Sequence, residues 1–181
     1  MTLSHPPSRA DRTTPEGFGE LFDAHSREIY NFCFRRTADW SRAEDLTSAV
    51  FLEAWRRRAE VDLTTEPALP WLYGVAANLL RNQRRALRRH RAAIERMAPA
   101  PSTPDFSDAL AARIDDERRM RDLLAHIKHL SQGEQDVLAL CAWQNLSYED
   151  AARALGVPVG TIRSRLSRAR THLAATEGAT S

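Results

Sequence analysis

Residues 146–170 carry the strongest local signal in the chain and read LSYEDAARALGVPVGTIRSRLSRAR. Ser147 followed by Asp150 has the spacing of a helix N-cap and its acidic partner. Gly156 predicts the end of that helix, because glycine adopts the left-handed conformation of a helix C-terminus without strain. Pro158 then favours the first turn of a second helix. The stretch therefore predicts two helices joined by a tight turn, a helix-turn-helix.

The second of these helices has two different faces at helical spacing. Ile162, Leu166 and Ala169 form an apolar stripe, which predicts the buried side. The other side carries hydroxyl and guanidinium groups, namely Thr161, Arg163, Ser164, Arg165, Ser167, Arg168 and Arg170. An α-helix fits the major groove of DNA, where arginine bonds guanine edges and hydroxyls bond bases or phosphates. We therefore predict a duplex-reading helix; a solvated basic face on an ordinary helical hairpin is the alternative.

Upstream of this motif, apolar residues at three- and four-residue spacing predict three further helices. They begin near residues 18, 41 and 70, with Ser41 predicted as the N-cap of the second helix and Glu44 as its capping-box partner. Each helix has one apolar face, so the three share a core. They form a predicted first domain, residues 16–96, after a loose N-terminal tail, residues 1–15.

Three prolines in residues 97–106 cannot continue a helix and predict a semi-rigid linker. Beyond it, residues 106–130 predict a long amphipathic helix whose inward residues are Leu110, Ile114, Leu123, Leu124 and Ile127. With the shorter helices that follow, it forms a predicted second domain, residues 107–175, before a tail, residues 176–181. The predicted fold class is all-α: two small helical domains joined by a Pro-containing linker, the second with a helix-turn-helix.

Charge is distributed unevenly along this 181-residue chain, although its formal net charge is only +2. Seven arginines lie between Arg81 and Arg96, with Glu95 as the single acid among them. The helix that ends the helix-turn-helix carries a second arginine cluster without acids. Two basic surfaces on a nearly neutral protein predict two places that meet a polyanion.

Other classes of protein find little support in the sequence. Cys33 and Cys141 are far apart and form no CxxC pair, so neither a disulfide framework nor a zinc site is predicted. His126 and His129 share a helix face but have no carboxylate partner, so we predict no metal, no cofactor and no catalytic residue. No segment has the apolar length of a signal peptide or a membrane span, which predicts a cytoplasmic protein without membrane insertion.

The motifs resemble those of a known family, the extracytoplasmic-function (ECF, group IV) bacterial RNA polymerase sigma factors. Residues 130–140, 146–152 and 155–170 resemble sigma region 4, and the string GTIRSR at 160–165 is quite specific to it. The first domain resembles sigma region 2, through AEDL at 43–46, FLEAW at 51–55 and PWLY at 70–73. Two matches in the right order, separated by the expected linker, cover most of the chain.

The resemblance implies a role for three groups of residues. The second helix resembles the one that docks on core polymerase, through Asp45, Leu46, Thr47, Ser48 and Phe51. The loop between Glu60 and Leu69 resembles the segment that captures a flipped base of the melted downstream promoter element, with contacts from Trp71, Asn78, Arg81, Arg84 and Arg85. The resemblance further implies that the upstream duplex element is read by Thr161, Arg163, Ser164, Arg165, Ser167 and Arg168.

The chain departs from the family pattern at several of these motifs. Ser48-Ala49 stands where relatives often carry a Gln-acid pair, which affects the polar part of the polymerase contact. Gly74 stands where arginine is common, and Cys141 where an arginine phosphate contact is frequent. Further departures are Ser131, Gln135 and Asn145.

The resemblance implies recruitment rather than catalysis, with core RNA polymerase (clamp and flap regions) and promoter DNA, both duplex and single-stranded, as partners. An anti-sigma factor is a further possible partner. A stand-alone transcription regulator is the main alternative, and it predicts specific duplex binding without polymerase. An RNA or membrane-surface binder that uses the arginines from Arg81 to Arg96 leaves the second domain unexplained.

Overall fold

A computed structural model describes residues 13–59, 67–94 and 110–178 of the chain. Within these ranges all regular structure is helical, which confirms the all-α prediction. The helices are α1 (Pro15–Thr37), α2 (Trp40–Arg56), α3 (Ala68–Ile94), α4 (Leu110–Ile127), α5 (Gln132–Leu138), a π-helical segment (Ala139–Trp143), α6 (Tyr148–Leu155) and α7 (Val159–Gly178).

Several predicted segments lie outside the described residues. They are the linker at 97–106, the start of the second domain near Phe106, residues 60–66 of the loop predicted from Glu60 to Leu69, most of the N-terminal tail and half of the C-terminal tail. The domain boundaries at the linker therefore stay predictions. Within the described ranges, the predicted first domain contains α1 to α3 and the predicted second domain contains α4 to α7.

Local capping chemistry sets the start of the first two helices. Thr14 accepts a hydrogen bond from the backbone N–H of Gly17 and so caps α1. The N-cap of α2 is Asp39, whose carboxylate accepts from the backbone N–H of Arg42 at 2.9 Å. The prediction of Ser41 as this cap was wrong by two residues, because Asp39 is also a strong N-cap residue and precedes it in the chain.

The core of the first domain is built from the apolar faces of its three helices. Leu21, Ile29 and Phe32 of α1 are buried together with residues of α2 and α3, among them Leu46, Val50, Phe51, Leu72, Tyr73 and Leu80. Aromatic side chains close one end, where Phe18 meets Trp55 edge to face with ring centroids 5.1 Å apart. This edge-to-face arrangement is one that aromatic rings prefer.

The second domain buries the apolar stripe of α7 against α5 and α6. Ile162, Leu166 and Ala169 are fully or almost fully buried, as the sequence predicts. The predicted inward face of α4 is confirmed only in part. Ile127 is buried, but Leu123 is 45% exposed. Leu123 and Leu124 are adjacent on a helix and so point about 100° apart, which prevents both from facing one narrow contact.

The two domains pack directly on each other within the described part of the chain. The contact between α3 and α6 is as extensive as that between α2 and α3 inside the first domain. The buried apolar residues of both domains accordingly form one continuous cluster. The sequence predicts two separately folded units, and it contains no signal for this contact.

Candidate nucleic-acid interface

The helix-turn-helix has the local geometry that its sequence predicts. Ser147 caps α6 by accepting from the backbone N–H of Asp150 at 3.0 Å. Gly156 ends α6 in the left-handed conformation, with a φ of 64°. The backbone N–H of Val157 then donates to the carbonyl of Ala152 at 3.1 Å. These contacts fix the angle at which α7 leaves the turn. The small side chain of Ala152 is buried at this turn and allows α6 and α7 to approach each other closely.

The outer face of α7 is open to solvent over most of its predicted length. The side chains of Arg163, Ser164, Ser167 and Arg168 are exposed, whereas Thr161 and Arg165 are half-buried. Arg168 lies 3.8 Å from Glu134, so part of its charge is balanced within the protein. Arg165 turns back over Gly133, where a Cβ would lie 3.0 Å from the guanidinium carbon. The exposed four form one surface, and Arg165 is separate from it.

Part of the α3 face predicted to contact the downstream element lies beside the second domain. Asn78 is exposed and its side-chain oxygen accepts from Arg81 at 2.6 Å. Trp71 is half-buried and lines a cavity of about 220 Å³ together with Asn78 and with Arg153 and Gly156 of the second domain. The structure thus brings Trp71, Asn78 and Arg81 to one face of α3.

Arg84 is half-buried between the domains, and Arg85 is exposed beside it. Arg84 donates to the side-chain oxygens of Gln132 and Gln135 at 2.7 and 2.9 Å. Burial lowers the pKa of Arg84, and the neighbouring positive charges of Arg36, Arg88 and Arg42 lower it further. The Arg84 guanidinium therefore lies close to other positive charges and is partly shielded from solvent.

Arginines from both domains converge on a second cavity, with a volume of about 320 Å³. Its lining includes one acid, Asp136, and five arginines: Arg81, Arg84, Arg85, Arg88 and Arg165. Asp136 is shared between Arg36 at 2.6 Å and Arg81 at 3.7 Å, so the positive charge of the other lining arginines is largely uncompensated. A site of this composition suits phosphate groups.

A buried ion pair between the domains is the largest feature that sequence reasoning missed. A guanidinium nitrogen of Arg36 lies 2.6 Å from a carboxylate oxygen of Asp136, and both side chains are at most 3% exposed. Arg36 also donates to the carbonyl of Gln135 at 2.8 Å. Burial lowers the pKa of Arg36, while the charge of Asp136 and its hydrogen bond act in the opposite direction. No sequence pattern links two residues separated by a hundred positions.

The predicted polymerase-docking residues of α2 divide into two groups. Asp45 and Ser48 are exposed, but Leu46, Thr47 and Phe51 are buried in the core of the first domain. Asp45 and Ser48 are therefore the members of this group that a partner could reach, since successive helical positions point in different directions. Sequence reasoning missed Leu52, which is 52% exposed. It lies on the same helical stripe as Asp45 and Ser48, a signal that helical spacing could have revealed.

Metal and membrane chemistry find no support in the described ranges. His126 is exposed, and its Nδ1 lies 2.7 Å from the carbonyl oxygen of Asp122. Among the residues that the structure describes, no three His, Cys, Asp or Glu side chains are grouped so as to hold a metal ion. None of the helices in the described ranges is both long and apolar enough to cross a membrane.

Comparison with known families and proteins agrees with the two-domain geometry. Residues 21–90 match the family model described as Sigma-70 region 2, and residues 120–173 match that of Sigma-70, region 4. The chain is 31% identical over 157 residues to the RNA polymerase sigma factor HrpL of Pseudomonas syringae, covering 87% of this chain and 85% of that protein. It is 30% identical over 149 residues to the ECF RNA polymerase sigma factor SigL of Mycobacterium tuberculosis, covering 81% and 80%.

Solved structures extend this similarity to the fold. CnrH in complex with the cytosolic domain of CnrY aligns with a TM-score of 0.67 at 22% identity, covering 95% of this chain and 94% of that one. The sigma factor RpoE in complex with the anti-sigma factor NepR from Bartonella quintana aligns with a TM-score of 0.64 at 23% identity, covering 87% and 94%.

A two-domain helical protein with a helix-turn-helix and sigma regions 2 and 4 in order defines a promoter-recognition subunit. The chain belongs to the sigma-70 family, in its extracytoplasmic-function group. It directs promoter-specific transcription initiation together with core RNA polymerase, and its family is one of transcription regulators.

Proposed function

We propose that this sigma factor reads its promoter with two separate helical faces and contributes no catalytic residue. The exposed face of α7 reads the duplex upstream element, and the face of α3 around Asn78 reads the melted downstream element. The α2 surface docks on core polymerase. Recruitment in the cytoplasm, rather than bond chemistry, is then its whole contribution.

The open, rigidly held face of α7 is the observation that carries this proposal. Arg163, Ser164, Ser167 and Arg168 are exposed on a helix whose opposite stripe is buried. Guanidinium groups that face solvent can form paired hydrogen bonds with guanine, and hydroxyls can bond bases or phosphates. The caps at Ser147 and Gly156 support a fixed entry angle into the groove.

The α3 face suits a single strand for different reasons. An unstacked base needs an apolar wall and an amide or backbone partner, which Trp71 and Asn78 supply. Arg81, Arg84 and Arg85 follow along the same helix and can contact successive phosphates. Such contacts give affinity that falls with salt and is nearly independent of sequence.

For α2 we propose a docking surface of Asp45, Ser48 and Leu52. These side chains are exposed on one helical stripe and combine a negative charge, a hydroxyl and an apolar group. An apolar anchor beside polar groups is a common composition of protein interfaces. The buried residues Leu46 and Phe51 support this surface from below by holding α2 on the core.

An anti-sigma partner is a further part of the proposal. The similar structures of CnrH and RpoE were solved with bound CnrY and the anti-sigma factor NepR. We extend the same kind of partner to this chain. Isolation of the native protein should recover a stoichiometric inhibitor, and recovery of the protein free of any such partner counts against this part alone.

Run-off transcription with purified core polymerase on a fragmented genomic library tests the central proposal. The expected result is a set of transcripts that start downstream of a shared two-part promoter, and none without the added protein. If the protein binds duplex DNA specifically by itself but supports no initiation, it is instead a stand-alone regulator.

An Arg163→Ala variant in the same assay should lose selectivity for the upstream part alone. An Asn78→Ala variant should lose selectivity for the downstream part. Loss of all transcripts in both variants, with unchanged binding to core polymerase, would contradict the division of the two roles.

A further inference from the structure

The arginine-lined cavity of about 320 Å³ lies where α3 meets α5 and α7. Four of its five arginines come from α3, where they recur at three- and four-residue spacing between Arg81 and Arg88. Residues at this spacing lie on the same side of a helix, so α3 directs all four guanidiniums to one place. The opposite side is built by Gln132 and Gly133 of α5 and by Arg165 of α7. Two distant parts of the chain therefore form this cavity together.

Arg165 lines the cavity although its sequence position predicts a place on the duplex-reading face. Its side chain is half-buried and lies over Gly133, where a Cβ would be 3.0 Å from the guanidinium carbon. The glycine thus leaves room for the guanidinium. Arg163, two positions earlier on the same helix, is exposed and does not line the cavity. These two arginines of α7 have equal chemistry and different surroundings.

Neutral side chains orient one of the arginines of α3. Arg84 donates to the side-chain oxygens of Gln132 and Gln135 at 2.7 and 2.9 Å. These two oxygens fix the direction of the guanidinium without cancelling its charge. Burial lowers the pKa of Arg84, and the charges of Arg36 and Arg88 lower it further. An anion in the cavity would relieve this repulsion.

Acidic groups balance little of the charge around the cavity. Asp136 is the one acid in the lining, and it is shared between Arg36 at 2.6 Å and Arg81 at 3.7 Å. In the part of the chain that the structure describes, no carboxylate forms an ion pair with the other four arginines of the lining. The planar fork of arginine binds phosphate oxygens in pairs. Several such forks directed at one small space suit a ligand whose phosphates are equally close together.

We propose that this cavity binds a compact polyphosphate anion, either inorganic polyphosphate or the polyphosphate group of a nucleotide. Its volume lies at the lower end of the range of ligand pockets, about 300–1,000 Å³, which suits a chain of a few phosphates. A nucleic-acid strand has sugars between its phosphates and so brings less charge into the same volume. The site follows from the packing of α3 on α5 and α7 and does not depend on the proposed function.

The test is isothermal titration calorimetry of the full-length protein with tripolyphosphate. Salt at about 0.15 M screens charges that are more than about 8 Å apart, so diffuse attraction to a basic surface contributes little. Arg88→Ala and Arg165→Ala each remove one guanidinium from the lining, on α3 and on α7. Arg163→Ala is the matched control, because it makes the same change on the exposed side of α7. Circular dichroism verifies that all three variants are helical.

The wild-type protein should bind tripolyphosphate saturably, with one anion per chain. Arg88→Ala and Arg165→Ala should each weaken binding by about tenfold or more, as expected for the loss of a charged hydrogen bond. Arg163→Ala should change the affinity by less than about twofold, since charges outside the cavity are screened. Equal weakening by Arg163→Ala and Arg165→Ala would place the anion on the exposed side of α7. That result, or a lack of saturable binding to the wild-type protein, would overturn the proposal.

Citrate and ATP distinguish the chemistry and the source of the ligand. Citrate is a compact anion with carboxylates in place of phosphates, and equal affinity for citrate would overturn the recognition of phosphate. ATP carries the same kind of phosphate chain as tripolyphosphate, so both should bind. Tighter binding of ATP would assign the site to a nucleotide, and tighter binding of tripolyphosphate would assign it to inorganic polyphosphate. Either order supports the cavity as a polyphosphate site.

The cavity shares Arg81, Arg84 and Arg85 with the proposed path of the melted strand. Tripolyphosphate should therefore displace a labelled single-stranded DNA, measured by fluorescence anisotropy, at concentrations near its own dissociation constant. This consequence alone rests on the proposed function. Saturable anion binding without displacement supports the cavity site and counts against α3 as the path of the strand. Displacement that is unchanged in Arg165→Ala would overturn the cavity as the site of the anion.

Discussion

The helices α3 and α7 both carry arginines away from their apolar stripes, but the structure treats the two faces differently. On α7 the groups proposed to read duplex DNA are exposed, and the scaffold beneath them is fully packed. On α3, Trp71 and Arg84 lie against the other domain, with Arg84 bonded to Gln132 and Gln135, whereas Asn78 and Arg85 are exposed.

An arginine-rich helix is therefore not by itself an available binding surface. The availability of such a face is decided by contacts from elsewhere in the chain, which a local pattern does not contain.

The largest expected effect concerns the scaffold beneath the open face. Ile162→Ala removes a fully buried side chain of α7 and should cost about 2–5 kcal/mol of the free energy of unfolding, measured by urea denaturation. Leu72→Ala, a fully buried residue of α3, is the matched change in the first domain. A loss below about 0.5 kcal/mol, as at ordinary surface positions, would show that α7 is not held by this packing.

The next effect distinguishes the chemistry of the two basic faces. Arg163→Ala should weaken binding to the correct upstream duplex by about 1–3 kcal/mol and relax selectivity at one position, if the guanidinium pairs with a base. Arg85→Ala should weaken binding uniformly and reduce the salt dependence, as expected for a phosphate contact. Titrations of specific and mixed-sequence DNA at several salt concentrations measure both. A uniform loss for Arg163→Ala would assign it to phosphate.

Loss of a helix cap should have a smaller effect. The same kind of change, removal of an N-cap acceptor, can be made once in each domain. Asp39→Ala and Ser147→Ala each remove an N-cap acceptor and should each cost about 1 kcal/mol of the free energy of unfolding. Ser41→Ala should cost little, because Ser41 is exposed in the first turn of α2 and does not cap it. Thermal unfolding of the three variants measures these losses of stability. A larger loss of stability for Ser41→Ala than for Asp39→Ala would reverse the cap assignment.

At neutral pH the smallest effect concerns the two thiols, one in each predicted domain. Burial raises the pKa of Cys33 to about 12 from an ordinary value of 9.0, against the hydrogen bond with Thr47 and the charge of Arg36. Burial also raises the pKa of Cys141. A raised folded-state pKa means that stability is retained below about pH 9. It is then lost as pH rises toward 12, where the unfolded chain ionises more readily.

A disulfide exchange reagent at about pH 8, just below the ordinary thiol pKa, should therefore titrate one thiol per chain in the native protein and two in guanidinium chloride. Cys141→Ser should abolish the native reaction, and Cys33→Ser should leave it unchanged. Fast reaction of Cys33 in the native state would mean that the first domain opens more readily than its packing indicates.

The sequence predicts the features that depend on neighbours in the chain. The helix-turn-helix is such a case, since Ser147, Gly156 and the stripe of Ile162 lie within one short stretch. The cap of α2 was displaced because Asp39 and Ser41 both satisfy the local preference, and only the folded backbone selects between them. The exposed Leu52 was likewise available from helical spacing.

The contact between the domains could not be predicted in the same way. Arg36 and Asp136 pair only because the two domains meet, and nothing in the spacing of either residue indicates a partner. The same holds for Gly74, because the need for a glycine there follows from the nearby backbone of Ala154. Departures from a family pattern, such as Gly74 and Gln135, lie at this contact and acquire a physical explanation only from the fold.

The π-helical segment Ala139–Trp143 has a consequence for how the domains meet. A π-turn is one residue wider than an α-turn, so it changes the direction in which the following groups point. The carbonyl of Trp143 at its end accepts from Arg35, and Gln144 accepts from Tyr73, at 3.1 and 2.9 Å. Shortening this segment by one residue would rewind it to α-helical pitch and rotate both acceptors away. The π-helical turn thus positions the two acceptor groups that bond the first domain, although it lies outside the helix-turn-helix.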